Sequence, residues 1–504
     1  MGISMGPSSA GSRVCDGDGA MAPESHYEEA HARILELVAM DAICPLDDAD
    51  LIYPDAEDRD NGSAGSMERT RTQRLVDAAR AGRDAAHAYR DAARADFERA
   101  DAARRRVAHL AATTARGSIA RVPCAAHLHP GTAVVVGGMV LDVTASPGPH
   151  ARLRRGSSTP GAVLQNPGGV GRNIAEGLAR LVGDAGPAPL LISAVGDDVA
   201  GRVLIDAWRA LGADTRGVRV CTGASTPVVA TVLDHDGEVA ASVADTLTAE
   251  TGLDADWIAK HADAVGRATV LVLDGNCAES TIAAAVDSAE RVVGPWANGE
   301  QKPLVWFEPV SVAKSIRATN VLAKLDFVSP NAGECRAMAN AVRARQGVAP
   351  LPMDSSVFEF RNIDDAVSTM CDDVGTLLRA GVRRVVLTLG SLGCVLVKSD
   401  GGYGSWRHVP ALTDGAGRPP LRSLVGAGDA LVAGAVAALM AGREEEAAMA
   451  VGVASARRAA EADGPVHSGH SLKSLERDAA GLAARVRTVR GEGARRESMT
   501  SGCG

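Results

Sequence analysis

The sequence predicts an α/β fold: a largely parallel central sheet flanked by helices, with a small β lid. Three observations predict it. Continuous apolar runs of strand length, as at 132–136 and 190–195, end in Gly or Asp and alternate with helical stretches, as buried parallel strands joined by crossover helices do. From 227 to 245 the pattern instead alternates around Asp236-Gly237, a β-hairpin inside an otherwise β-α-β chain and the candidate lid. Near the C-terminal end, Val425-Gly-Ala-Gly-Asp429 leads straight into Ala- and Leu-rich sequence without Pro, which predicts a buried helix starting near Ala427.

That last stretch carries the chemistry. The first N–H groups of a helix lack intrahelical partners and sit at the positive end of the macrodipole. Gly426, Ala427 and Gly428 would let an anion approach bare backbone, and Asp429 beside them could take a proton from an attacking hydroxyl. An anion hole with a base is the minimum equipment for phosphoryl transfer to an alcohol. Taken alone, the same four residues equally describe a tight strand-to-helix turn.

Composition narrows the alternatives. The formal charge of -9 and the 3% aromatic content argue against a nucleic-acid binder, which needs a basic face or stacking platforms. The nine cysteines form no C-x-x-C pair and no disulfide framework, so reduced thiols are expected. The N-terminus lacks the apolar core of a secretory signal, and no apolar run is long enough to cross a bilayer. A soluble, cytoplasmic protein acting on small molecules is the expectation.

In chain order, residues 1–130 read as an extension, partly helical and partly disordered, with no residues that carry chemistry. The first strand, at 132–136, ends in Gly137-Gly138 with Asp142 shortly after, and strand ends are where α/β folds place ligand groups. A polar segment to Gln165 precedes Asn166-Pro-Gly168-Gly169-Val-Gly-Arg-Asn173, which opens a helix. Its glycines and Asn173 suit close approach to a hydroxylated ligand, or simply a loop and helix cap. Strands at 269–273, 304–307, 325–328 and 384–389 follow. Polar groups close two of them, Asn331 with Glu334 and Thr388 with Gly390, Ser391 and Gly393. The folded domain is expected over 131–487, and the polar tail 488–504 is expected to be disordered.

Together and in this order, the motifs over about 131–475 resemble the ribokinase-like (PfkB) family of carbohydrate and nucleoside kinases: the Gly-Gly pair with Asp142, GGVGRN, Asn331-x-x-Glu334, TLGSLG and GAGD. The segments at 166–181, 192–201, 232–245, 274–276 and above all WFEPVSVAKS at 306–315 are similar to the pseudouridine-kinase branch. The resemblance implies ATP-dependent phosphorylation of the ribose 5′-hydroxyl of pseudouridine. It implies Asp429 as base, the N–H groups of Gly426, Ala427 and Gly428 as anion hole, and Asp142, Gly168, Gly169 and Asn173 on the ribose. Asn331 and Glu334 would organise Mg2+, Thr388, Gly390, Ser391 and Gly393 would line the ATP site, and the lid would close over the sugar and serve a homodimer. Ser423, Leu424 and Val425 stand where the family usually has an acid and a Thr, and Val140 where it has an Asn. The missing acid leaves K+ activation open. The alternatives are another nucleoside or sugar kinase of the family (adenosine, ribose or fructose type) and a non-catalytic nucleoside-binding homologue.

Overall fold

The computed structural model describes residues 132–489 except 149–150, 155, 184–185, 292–301, 400–403, 413–418, 463, 468 and 470. The extension 1–130 and residues 490–504, with the expectations placed on them, lie outside the described residues.

The strands are β1 (Ala133–Val136), β2 (Val140–Pro147), β3 (Gly161–Gly168), β4 (Leu190–Gly196), β5 (Val218–Cys221), β6 (Val228–Leu233), β7 (Val239–Asp245), β8 (Val270–Asp274), β9 (Leu304–Glu308), β10 (Phe327–Val328), β11 (Arg384–Thr388), β12 (Cys394–Lys398), β13 (Ser405–Val409) and β14 (Arg487–Val489). The longer helices are α1 (Val170–Val182), α2 (Val199–Ala210), α3 (Glu279–Arg291), α4 (Ala332–Arg345), α5 (Ile363–Arg379), α6 (Ala427–Met440), α7 (Glu445–Ala460) and α8 (Leu472–Ala483).

Ten strands form one sheet in the order β14-β13-β12-β11-β10-β9-β8-β1-β4-β5. Pairing is parallel from β5 to β11 and antiparallel from β11 to β14, so the largely parallel sheet is as expected. Val134, Val135, Val136, Val272 and Leu273 are wholly buried because helices cover both faces. One face packs Ile282, Met338 and Met370 of α3, α4 and α5. The other packs Ile174, Leu204, Val432 and Met449 of α1, α2, α6 and α7, with the Trp306 and Phe327 rings stacked 4.6 Å apart. None of the five described cysteines is bridged. Thr488 and Val489, the first two residues of the expected tail, belong to β14.

The chain leaves β1 toward β4 on one side and returns through β8 on the other, which makes the β1/β8 boundary the topological switch point, where α/β sheets open a crevice for ligands.

The hairpin β6–β7 does stand apart from the main sheet, but it has company. The segment expected as a polar connection forms β2 and β3, and the four strands make a second sheet in the order β3-β2-β6-β7. Its strands are half-exposed or exposed, so no apolar run announced them. Val163, Leu164, Val239 and Val243 of the outer strands are exposed.

Candidate active site

Asp274 anchors the switch point. This wholly buried carboxylate, at the end of β8, accepts Gly138 N–H (2.8 Å) and Gly171 N–H (2.7 Å) on Oδ2 and Asn276 N–H (2.8 Å) on Oδ1. It thereby ties the turn after β1 to the start of α1. Gly137 must be glycine because a Cβ there would come 2.3 Å from Asp274 Oδ2. Burial pushes the Asp274 carboxyl up, and the three amides oppose that.

The ribose candidates gather against this anchor. Asp142 lies on β2 opposite Asn166 of β3, and its carboxylate packs on Gly168, where a Cβ would be 2.0 Å from Oδ2. Gly169 caps α1 at φ 95, a left-handed conformation, and Asn173 sits in the first turn of that helix. Burial raises the Asp142 carboxyl, with the Arg172 charge opposing.

Asn173 then reaches the candidate base. Its Nδ2 donates to Asp429 Oδ2 at 2.8 Å, joining α1 to α6. Asp429 occupies the first turn of α6 behind Gly426, whose φ of 80 and tight packing on Pro465 admit only glycine. Burial lifts the Asp429 carboxyl to about 7; the Asn173 bond opposes this and the Asp274 and Asp142 charges add to it. A carboxyl poised near neutrality is suited to taking a proton from a hydroxyl. The expected anion hole is partly engaged: Ala427 N–H donates to Leu424 O at 3.2 Å, while among the described residues the Gly426 and Gly428 amides have no acceptor. Ser423 Oγ accepts Val425 N–H, and the Leu424 and Val425 side chains are exposed.

A cavity of about 200 Å³ opens at Asp429, lined also by Val170, Glu308, Val310, Ser329, Asn331, Glu334, Thr388, Gly428 and Leu431. Asn331 and Glu334 form a capping box for α4: Asn331 Oδ1 accepts Glu334 N–H and Glu334 Oε2 accepts Asn331 N–H, both at 2.9 Å. The cap occupies Oε2 and leaves Glu334 Oε1 as the oxygen open to a cation. Glu308, which sequence reasoning missed, is the third acid. It ends β9, accepts the Ser329 hydroxyl, and is pushed well up by burial and by the charges of Asp429 and Glu334. The carboxyls of Glu308, Glu334 and Asp429 line this one cavity with Ser329 and Asn331, and such hard oxygen donors are of the kind that suits a hard divalent cation such as Mg2+.

Val310 closes one wall. Its φ of 70 is the one positive value at a non-glycine among the described residues, and Ser311 N–H donates back to Pro309 O at 2.8 Å, a γ-turn of the strained hand. Strained β-branched residues persist where the surroundings dictate them, and they cluster at functional sites.

Thr388 reaches the cavity, and its N–H donates to Pro330 O. Gly390 and Ser391 lie in the turn beyond it, off the cavity lining. Gly393, at φ 91, is demanded by the approach of β13, since a Cβ would meet Val409 O at 2.2 Å.

A switch-point crevice, a buried carboxyl at a glycine-opened helix start and three acids on one cavity suit a phosphotransferase with an alcohol acceptor, the class to which the family match assigns the chain. The chain belongs to the pfkB family of carbohydrate kinases, which it matches over residues 132–470. It is 31% identical to a pseudouridine kinase of Arabidopsis thaliana, with 69% of this chain and 95% of that one covered. With a pseudouridine kinase of Escherichia coli K12 it shares 28% identity over 60% of this chain and 81% of the relative. Its fold is that of Thermotoga maritima ribokinase (TM-score 0.52, 20% identity, 69% of this chain and 98% of the other). It is likewise that of Arabidopsis thaliana ribokinase, solved with ribose and ATP (TM-score 0.52, 18% identity, 70% and 99%). No helix among the described residues is long and apolar enough to cross a membrane.

Proposed function

We propose that the protein is an ATP-dependent kinase that phosphorylates the ribose 5′-hydroxyl of pseudouridine to give pseudouridine 5′-phosphate. The observation that carries the chemistry is Asp429, buried at the start of α6, held by Asn173 and facing the acid-lined cavity. The pseudouridine kinases at 31% and 28% identity support the acceptor.

On this reading Asp142, Gly168, Gly169 and Asn173 hold the ribose so that its 5′-hydroxyl points at Asp429. Asp429 takes the hydroxyl proton as the oxygen attacks, and the Gly426 and Gly428 amides meet the charge on the transferring phosphoryl group. Glu308, Glu334 and Asn331 would hold Mg2+, which would neutralise phosphate charge. Thr388, with the turn through Gly390, Ser391 and Gly393, would border the nucleotide. The β2-β3-β6-β7 sheet closes over the sugar and excludes water, which otherwise competes as acceptor.

Purified protein with Mg-ATP is to be offered pseudouridine, uridine, adenosine, ribose and fructose, with the monophosphate detected by mass. Pseudouridine is expected to give the highest kcat/KM. Turnover of adenosine, ribose or fructose with none of pseudouridine overturns the acceptor, and nucleoside binding without any product points to a non-catalytic homologue.

The exposed Val163, Leu164, Val239 and Val243 support pairing of two copies through their lids. Sedimentation at assay concentrations is expected to show a dimer; a monomer under those conditions removes that reading.

A further inference from the structure

Arg172 is buried between the two halves of the site, with 7% of its surface exposed. Buried arginines are costly unless their donors are matched, so what this one touches is informative. Its Nη1 donates to Pro167 O at 2.7 Å and to Asn173 Oδ1 at 3.3 Å. Its Nη2 pairs with Glu176 one turn along α1, and Glu176 Oε1 also accepts Arg180 Nε at 2.7 Å. Its backbone N–H donates to Gly138 O at 3.1 Å, in the turn after β1.

These contacts fall on both functional halves. Pro167 immediately precedes Gly168, the residue on which the Asp142 carboxylate rests, so the guanidinium fixes the strand end that seats Asp142. The Arg172 charge also acts on Asp142 directly, holding its carboxyl down against burial. On the other side, a cation at Asn173 Oδ1 settles which way that carboxamide faces. Nδ2 is left to donate to Asp429 Oδ2.

We infer that Arg172 is a positioning residue that couples the two halves of the site, seating Asp142 for the acceptor sugar and, through Asn173, orienting the base Asp429. This rests on the kinase reading above and deepens it. The coupling has two separable parts. Acceptor affinity follows the positive charge near Asp142. The rate of the chemical step follows the planar fork, because one nitrogen must serve Pro167 and Asn173 while its twin serves Glu176. Lysine keeps the charge but has no fork.

The test uses Arg172→Gln and Arg172→Lys in the full-length protein. Acceptor affinity is read by calorimetry without ATP, and kcat and both KM values are read on whichever acceptor the wild type phosphorylates. Arg172→Gln is expected to weaken acceptor binding about tenfold and lower kcat by about 10- to 100-fold, the scale of lost charge-assisted hydrogen bonds. The KM for ATP should stay unchanged. Arg172→Lys is expected to restore acceptor affinity to within about threefold while kcat stays low. A residue that only supports the fold would lower the thermal midpoint without splitting these constants. Wild-type acceptor affinity and kcat in Arg172→Gln, or full recovery of kcat by Lys, overturns the inference. A wild type that phosphorylates nothing in the panel overturns the kinase reading instead, and the calorimetric arm still decides whether Arg172 governs the acceptor subsite.

Discussion

Asp429→Asn is expected to lower kcat by about 10²- to 10⁴-fold, the usual contribution of a positioned general base, with the acceptor KM changed little. Asparagine has the shape of aspartate and can keep the bond to Asn173 by presenting its carbonyl, so the ribose subsite stays intact. What it cannot do is take the proton. Steady-state kinetics with the acceptor in excess measures this. Activity within about tenfold of wild type would show that the proton leaves by another route.

The same substitution should make the protein more stable, and the pH dependence fixes the sign. The Asp429 carboxyl lies at about 7 in the folded chain because of burial, against 3.8 for the free group. Below 3.8 both states carry the proton, and the group contributes no difference. Between 3.8 and 7 the folded state binds a proton that the unfolded state has released, so this group's contribution to stability falls as pH rises. Above 7 the full penalty stands, about three pKa units or roughly 4 kcal/mol as a ceiling. Asparagine carries no such penalty. In metal-free buffer the thermal midpoint of Asp429→Asn should therefore exceed wild type by several degrees at pH 8 and match it near pH 4. A variant that loses activity and stability together at pH 8 would mean the carboxylate is structural.

Much of this was legible in the sequence, for physical reasons. Val134, Leu191 and Val272 sit in runs apolar on both sides, and only a strand covered on both faces needs such runs. Gly426 and Asp429 stood out only through the order of the motifs along the whole chain, because their own stretch equally describes a tight strand-to-helix turn. The lid strands β2 and β3 were not, since their half-exposed residues lack apolar alternation and their partner β6 lies far along the chain. Asp274 shows its role only through Gly138 and Gly171, which the fold brings to it. Glu308 lies inside WFEPVSVAKS, which marks the branch without saying what its acid does; only the fold brings it to Ser329 and onto the cavity that Glu334 and Asp429 also line. Asn331-x-x-Glu334 stood out in the sequence only as a cation pair implied by the resemblance; the structure adds that the same two residues close a capping box, which occupies Glu334 Oε2 and leaves Oε1 over.

That double use sets the second large effect. Glu334→Gln should raise the Mg2+ concentration needed for half-maximal rate by about 10- to 100-fold without lowering the thermal midpoint, since burial already pushes the Glu334 carboxyl up. Glutamine serves the capping box as well as glutamate does, because the cap needs only an oxygen facing Asn331 N–H. The cation needs the charge. Glu308→Gln should act in the same direction, since its carboxyl must ionise to bind a cation and glutamine cannot. If both acids hold one ion, the second substitution in the double variant should cost much less than it does alone, since the site is already lost. Independent, multiplying effects would place the two carboxylates on different cations. A Mg2+ titration of the rate, with thermal unfolding run alongside, separates these outcomes. Wild-type Mg2+ dependence in Glu334→Gln would leave that residue a helix cap and nothing more.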